Sequence, residues 1–395
     1  MRIACYAAFC LWLLLSTANA FESEQYGKIE AGITHYNKQA PAAHQQRSTT
    51  ALRFEPSLDI YHDDSSISLR PHINAIGGNQ AEIDWQDSHY RTTIGDYSFL
   101  IGSDIVFWGK TDVFNPSDII NSKDYRAGLQ HGQKRGMPMA TITGDVGPGA
   151  LTILMMPRFV PNRYPFRSSR ENLPLTVADS RNLYDEDSCK NCLSAALRWE
   201  GYVGDTDIGL SYFDGTGREP SLAVGADMQM TPTYHKITQA GTDIQHIAGD
   251  WLIKAELIHR TGQPDNNTII KDYYGATGGL EYTLYSVFDS SADAGIIGEF
   301  AYDSRGKHSH HGFQRDVFAG VRLTMNDVDD TSYLMTIGRD LHFHSTSASL
   351  SAERRLSDGL VIRAAASVPT GLAKDTHNSA LEKAEYAEIS LSYSF

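Results

Sequence analysis

The sequence predicts an all-β chain, a transmembrane antiparallel β-barrel of about 18 strands, with 16 as the alternative. Three observations carry this. Apolar and polar residues alternate with period two in one run after another from Ile29 to Phe395. Beyond residue 20 no apolar run is long enough for a helix to cross a bilayer, and mean hydropathy is −0.34. Tight turns alternate along the chain with longer polar connections.

The last strand is the clearest. In Glu382–Phe395, Ala387, Ile389, Leu391, Tyr393 and Phe395 share one face. Glu388, Ser390, Ser392 and Ser394 share the other. A frayed terminus in water gains little from an oily strand, whereas a barrel uses one to remove its last open edge. The stretch resembles the C-terminal signature strand of Gram-negative outer-membrane barrels. That resemblance implies recognition by the barrel-assembly machinery, with Tyr393 and Phe395 as the insertion signal. The alternative is the last strand of a secreted β-sandwich. At the other end, Arg2, the apolar stretch Ala7–Leu15 and Ala18-Asn19-Ala20 form a secretory leader, so cleavage is expected after Ala20. Cys10 follows Phe9 and lies early, so no lipid anchor is expected.

A net charge of −14 argues against a nucleic-acid partner. The 20 Tyr and 33 Gly suit a barrel, with rings at the interfaces and Gly in turns. Cys5 and Cys10 leave with the leader. Cys189 and Cys192 remain and are read as a loop disulfide. A redox C-x-x-C or half of a metal site is the alternative.

Taken in order, strands are expected around Ile29–Ile33, Leu52–Ile60, Ile67–Asn74, Ala81–Ile94, Tyr97–Phe107, Ala140–Asp145 and Leu151–Pro157. Leu193–Gly201, Ile208–Tyr212, Tyr234–Ile247, Trp251–Leu257, Tyr274–Phe288 and Ile296–Asp303 follow. Val317–Met325, Tyr333–Leu341, Leu350–Leu356, Leu360–Val368 and the terminal strand complete the set. The alternation changes parity near Asp87, which implies a bulge. Tight turns fall at Asp63, Gly95, Gly147, Gly204, Gly249, Ser290, Asp327 and Asp358. Short periplasmic turns opposite longer extracellular loops are the asymmetry of an outer-membrane barrel. Residues 21–395 form a single domain, with no linker or low-complexity tract.

In such a barrel the polar face points into the lumen. Candidate pore-lining residues are therefore Arg53, Glu55, Arg70, Asp104, Arg198, Glu200, Lys254, Glu256, Glu299, Asp316 and Arg322. They either keep the wall wet and pair across strands or form a selectivity filter. Residues 109–136 form a constriction or lid loop, at the third long-loop position. Lys110, Lys123, Arg126, Lys134 and Arg135 make it basic, and Asn115-Pro116-Ser117-Asp118 is a candidate helix start. Folded inward, the loop would steer an anionic solute. Left outside, its cations would meet lipopolysaccharide phosphates. Residues 160–191 are read as a long extracellular loop holding the cysteine pair.

Ile101-Gly102, Phe107-Trp108-Gly109 and Asn115-Pro116-Ser117-Asp118-Ile119-Ile120-Asn121 resemble a motif of large proteobacterial porin-like barrels, the alginate-export type among them. The resemblance implies passage of a small hydrophilic or polymeric solute, no cofactor and no catalytic residues. The acidic balance departs from the basic lumen of an alginate exporter. The expected setting is the Gram-negative outer membrane, among lipid and lipopolysaccharide, with a homo-oligomer possible. The rival reading is a surface-polysaccharide anchor or export barrel whose loops bind and whose barrel is plugged. A secretion component is a third, disfavoured because no periplasmic domain precedes Tyr26. No Gly-x-Ser-x-Gly elbow marks an esterase, and no enzyme is expected. His308, His310 and His311, with His342 and His344, are read as solvated loop residues, with a Zn or Cu site as the alternative.

Overall fold

The computed structural model describes residues 21–395 apart from Pro174, Thr376 and His377. The leader expected at residues 1–20 lies outside the described residues. Eighteen strands form one closed antiparallel sheet. They are β1 (Glu22–Tyr36), β2 (Ser48–His62), β3 (Ser65–Ile76), β4 (Glu82–Ile94), β5 (Tyr97–Asp104) and β6 (Met137–Val146). Next come β7 (Gly149–Met156), β8 (Ser194–Val203), β9 (Thr206–Thr216), β10 (Lys236–Ala248), β11 (Trp251–Thr261) and β12 (Tyr273–Leu284). The last are β13 (Asp293–Asp303), β14 (Arg315–Thr324), β15 (Ser332–Asp340), β16 (Thr346–Ser357), β17 (Leu360–Thr370) and β18 (Tyr386–Ser394). Each pairs with its neighbour in sequence, and β18 pairs with β1 from Lys28↔Ser394 to Tyr36↔Tyr386, closing the barrel.

All eight tight turns fall where the alternation places them. Gly95, Gly147, Gly204 and Gly249 have φ between +59° and +63°, a conformation that two-residue hairpins require and other residues resist. The bulge also falls where parity breaks. Ser68 pairs with His89 and Arg70 with Gln86, so β4 carries an extra residue, with Asp87 at φ +33°. Glu22 pairs with Tyr61 beside the Asp63-Asp64 turn, and Phe395 bonds Gly27. Both described ends of the chain thus sit at the turn end of the barrel.

The outer face is apolar, as lipid contact demands. On β11, Ile253 and Leu257 are exposed while Lys254 and Glu256 are buried on the lumenal side. Exposed Tyr97, Tyr202, Trp251 and Tyr393 ring the turn end, and Trp85, Tyr212, Tyr274 and Tyr302 the loop end. These are the two aromatic girdles of a membrane barrel.

The inner face is not polar all the way round. Leu100, Met137, Met139, Leu154, Met156, Phe213 and Ile237 point inward from β5–β10. There they bury Trp108, Ile119 and Ile120 of the loop that follows β5. That loop starts at residue 105, so β5 stops three residues short of the Phe107 expected as its end. The chain leaves the wall to cover this inner apolar arc.

Opposite-charge pairs tie the wall together. Arg198 on β8 reaches across Gly209 on β9 to Asp243 on β10, with Nη2 3.0 Å from Oδ1. A Cβ on Gly209 would sit 2.2 Å from the guanidinium, so glycine makes the crossing possible. Asp243 is fully buried. Arg198→Ala should cost about 3–5 kcal/mol by stranding that carboxylate. The urea midpoint for loss of the heat-modifiable folded band should fall accordingly, and an unchanged midpoint would show Asp243 is solvated.

A lumen narrowed by two loops as candidate functional site

The first loop, 105–136, crosses the lumen twice. Its base is set by Asn121, whose Oδ1 accepts from Val106 N at 2.8 Å and whose Nδ2 donates to Asp104 O and Arg135 O. Residues 110–117 then meet the wall at β11–β13. Glu256 Oε1 accepts from Lys110 N (2.8 Å), Thr111 N (3.1 Å) and Thr111 Oγ1 (2.8 Å), and Oε2 from Ser117 N (3.2 Å). Glu299 accepts from Asp112 N (2.6 Å) and Val113 N (2.9 Å). The Asp112 carboxylate in turn takes Lys254 (2.6 Å) and Arg322 (3.3 Å). Two wall carboxylates thus satisfy the amides of a non-helical segment. For this reason the helix expected to start at Asn115–Asp118 does not form: Ser117 N is held by Glu256, and Pro116 O accepts from Gln239. The loop's short helical piece is Leu129–His131.

The second crossing is the ribbon in which Lys123–Asp124 pairs with Gln133–Lys134. It runs beside the second loop, 157–193. Arg163 of that loop contacts Glu82 (3.1 Å) and Asp124 (3.0 Å). The long loop expected at 160–191 reaches, at the loop end of the barrel, the connections beside β1 and β18. Arg170 donates to Lys38 O (2.7 Å), Gln39 O (2.7 Å) and Lys383 O (2.9 Å). Glu171, fully buried, accepts from Tyr36 OH (3.0 Å) and Gln130 N (2.9 Å) and lies 3.2 Å from His131 Nε2. Cys189 and Cys192 are joined near the far end of this loop, where Phe159 N donates to Lys190 O.

The structure places the basic residues of 109–136 mostly against acids. Arg126 meets Glu82 (3.3 Å) and Asp179 (3.0 Å), Lys134 meets Asp118 (2.7 Å), and Arg135 meets Asp84 (3.0 Å). Burial pulls Lys134 below the usual lysine range and lifts Asp118 above the usual carboxylate range. Lys110 and Lys123 make no ion pair among the described residues. On the wall, Arg53 pairs with Glu30, Glu55 with His72 (3.4 Å), Arg70 with Asp59 (3.1 Å), Arg198 with Glu200 (2.8 Å) and Arg322 with Glu281 (2.7 Å). Asp104 lies at the base of the first loop, and buried Asp316 accepts from Arg315 N at 3.0 Å. Asp112, Arg170 and Glu171 were not singled out by sequence. Nothing in their local pattern says which loop residues meet the wall.

A remaining opening lies between β1, β2, β18 and the tip of the first loop, lined by Glu30, Thr34, Thr49, Arg53, Glu388 and His131. The His-rich loop lies on the other side, where His311 contacts Asp303 (3.0 Å) and its ring is 4.6 Å from Phe114. His308 bonds Asn267. Among the described residues no group of three His, Cys, Asp or Glu is placed to hold a metal ion.

The contact of His131 with Glu171, which latches the tip of the first loop to the second, is expected to depend on pH. Burial opposes its charge, but the hydrogen bond and charge of Glu171, with help from Glu388 and against Arg53, lift its pKa above the ordinary value. The ring of Tyr386 lies 5.1 Å from it, and Tyr36 OH donates to the same Glu171. A raised folded pKa gives stabilisation that is full below about 6.5 and lost as pH climbs through the higher folded value. Amide exchange at residues 127–132 should therefore quicken between pH 6 and pH 8 beyond the intrinsic rate. His131→Gln should flatten that excess, and a wild-type excess that does not change with pH would refute the latch.

No family model matches the chain, and no curated protein does. Solved structures do. OccK9 (OpdG) of Pseudomonas aeruginosa superposes with a TM-score of 0.58 at 9% identity, covering 95% of this chain and 98% of that one. OccK5 (OpdH) of the same organism gives 0.57 at 9%, covering 95% and 97%. A BenF-like porin from Pseudomonas fluorescens gives 0.56 at 10%, covering 95% and 98%. The fold is a porin fold. Identity this low speaks for the architecture alone.

Proposed function

We propose that the chain is an outer-membrane diffusion channel for small hydrophilic solutes. The observation that carries this is the loop held across a polar lumen by Glu256 and Glu299. A closed scaffold has no need of a narrowing anchored on wall charges, whereas a selective pore does. The lipid-type outer band, the aromatic girdles and the porin fold support the membrane setting. Eighteen strands leave room for a hydrated path once the loops are in place.

Charge at the turn end sets the expected ion preference. At least one Asp stands in or within two residues of every one of the eight turns and no Lys or Arg does, with Asp329 and Asp330 alone matched by Arg354 and Arg355 from β16. This acidic mouth should favour cations at low salt and lose that preference as salt screens it. The test is single-channel recording of purified protein whose folding is shown by heat-modifiable migration. Steady ohmic current with a cation-signed reversal potential in a shallow salt gradient is expected. Folded protein without conductance would overturn the channel reading and favour a loop-binding scaffold.

A further inference from the structure

Resting on the channel reading, we infer that the solute is neutral and rich in hydroxyls, of the sugar or polyol class, rather than a carboxylate. The open side of the lumen carries the argument. Arginines facing it are already matched: Arg322 with Glu281, Arg363 with Glu353, Arg53 with Glu30 and Arg70 with Asp59. At any of these four an incoming carboxylate would have to displace a neighbour already in place, and gains little from a neutralised guanidinium. The lumenal cations with no ion pair among the described residues, Lys110, Lys123 and Arg91, stand on the first loop and on β4.

What the wall offers besides is hydroxyl, held in exchangeable bonds: Thr336 Oγ1 lies 2.6 Å from Ser349 Oγ, Thr34 Oγ1 donates to Glu388 at 2.6 Å and Ser367 Oγ donates to Gln130 Oε1 at 3.1 Å. Thr336, Ser349 and Ser367 lie side by side at one level across β15, β16 and β17. Ser351, Thr34 and Thr49 face the same space below them, with Glu388 between. They are lumenal because their strand neighbours Met335, Ile337, Leu350 and Ile33 are exposed on the lipid side. A hydroxyl donates and accepts with equal ease, so such a wall can exchange partners along a polyol without a fixed charge to trap it.

Beside this wall stands an aromatic surface. Phe114 of the first loop stacks on Phe313 at 5.0 Å, and Phe313 lies 5.9 Å from Phe318 of β14. The Phe318 ring covers Gly338 on β15, where a Cβ would come within 2.6 Å of it and 3.1 Å of Ser347 Oγ. All three rings are only half-buried. Phe114 also meets the His311 ring at 4.6 Å, and the three rings keep apolar faces open in a polar lumen. They fit the C–H faces of a sugar ring whose hydroxyls bond the adjoining serines and threonines.

The test is current block in planar bilayers, with maltotriose as the neutral probe and citrate as the carboxylate probe. Wild-type channels should be interrupted by maltotriose and not by citrate. Phe318→Ala should raise the half-blocking concentration roughly five-fold, and Phe318→Trp should preserve the block. Thr336→Val with Ser349→Ala should weaken block similarly, so the inference survives if one variant misfolds on the heat-modifiability control. Block by citrate alone, or block indifferent to Phe318 and the hydroxyl pair, would overturn it. Conductance without any block would also overturn it while leaving the channel reading standing. Absence of conductance would remove both.

Discussion

Replacing Glu256 and Glu299 together with alanine should roughly double single-channel current or more, and make it noisy, because the five backbone N–H groups they satisfy would each be left short by about 1–3 kcal/mol. Those donors belong to residues 110–117, and of the groups the two carboxylates hold Thr111 Oγ1 alone has a second acceptor of equal quality, Phe114 O at 2.7 Å. Glu256 is 2% exposed, so water is a poor substitute where the loop sits. The segment should undock and fluctuate while its base stays pinned by Trp108, Ile119 and Ile120 in the inner apolar cluster. Asp112 would lose its position against Lys254 and Arg322, adding to the effect. The barrel itself should persist, since no strand pairing involves these carboxylates. Recording the single and double variants at equal salt decides the matter. A double variant with unchanged, quiet current would show that the narrow point of the path lies elsewhere.

Deleting Tyr393–Phe395 should lower the yield of folded barrel by roughly an order of magnitude or more, since open backbone groups facing lipid each cost several kcal/mol. Gly27 N donates to Phe395 O at 2.8 Å and Phe395 N to Gly27 O at 2.9 Å. The Phe395 ring occupies the space over Gly27, where a Cβ would meet it at 2.7 Å. Tyr393 stacks on Phe395 with ring centres 6.1 Å apart and pairs with Ile29. The terminal residues therefore finish the β1–β18 seam. Phe395→Leu keeps the backbone bonds and should assemble nearly as well if closure is what matters. A leucine variant as defective as the deletion would move the explanation to recognition of the aromatic during assembly. Folded-band yield in outer-membrane fractions distinguishes the two.

The strands and turns were legible because their causes are local. Two-residue periodicity, one Gly or Asp at each hairpin and a parity break at Asp87 are properties of consecutive residues. Lipid outside and water inside then fix which face each residue takes. The same reasoning marked Arg53, Lys254, Glu256, Glu299 and Arg322 as lumenal. It failed on the inner arc of β5–β10, where Leu100, Met139 and Phe213 face inward. Alternation assumes a wetted lumen, and a loop that folds back removes the water locally.

Which loops turn inward was decided only in three dimensions. Residues 110–117 find Glu256 about 140 positions along the chain, and Arg170 finds the carbonyl of Lys383 more than 200 away. No short window of sequence holds both partners. The basic residues of the first loop, read by themselves, suggest a site for an anion. The structure shows that Arg126, Lys134 and Arg135 already have carboxylates of their own. Sequence alone determined a membrane barrel of about 18 strands, its turns and its two faces, because the bilayer imposes those on every strand separately. The shape and charge of the passage waited on tertiary structure, because they depend on pairings between residues that only closure of the barrel brings together.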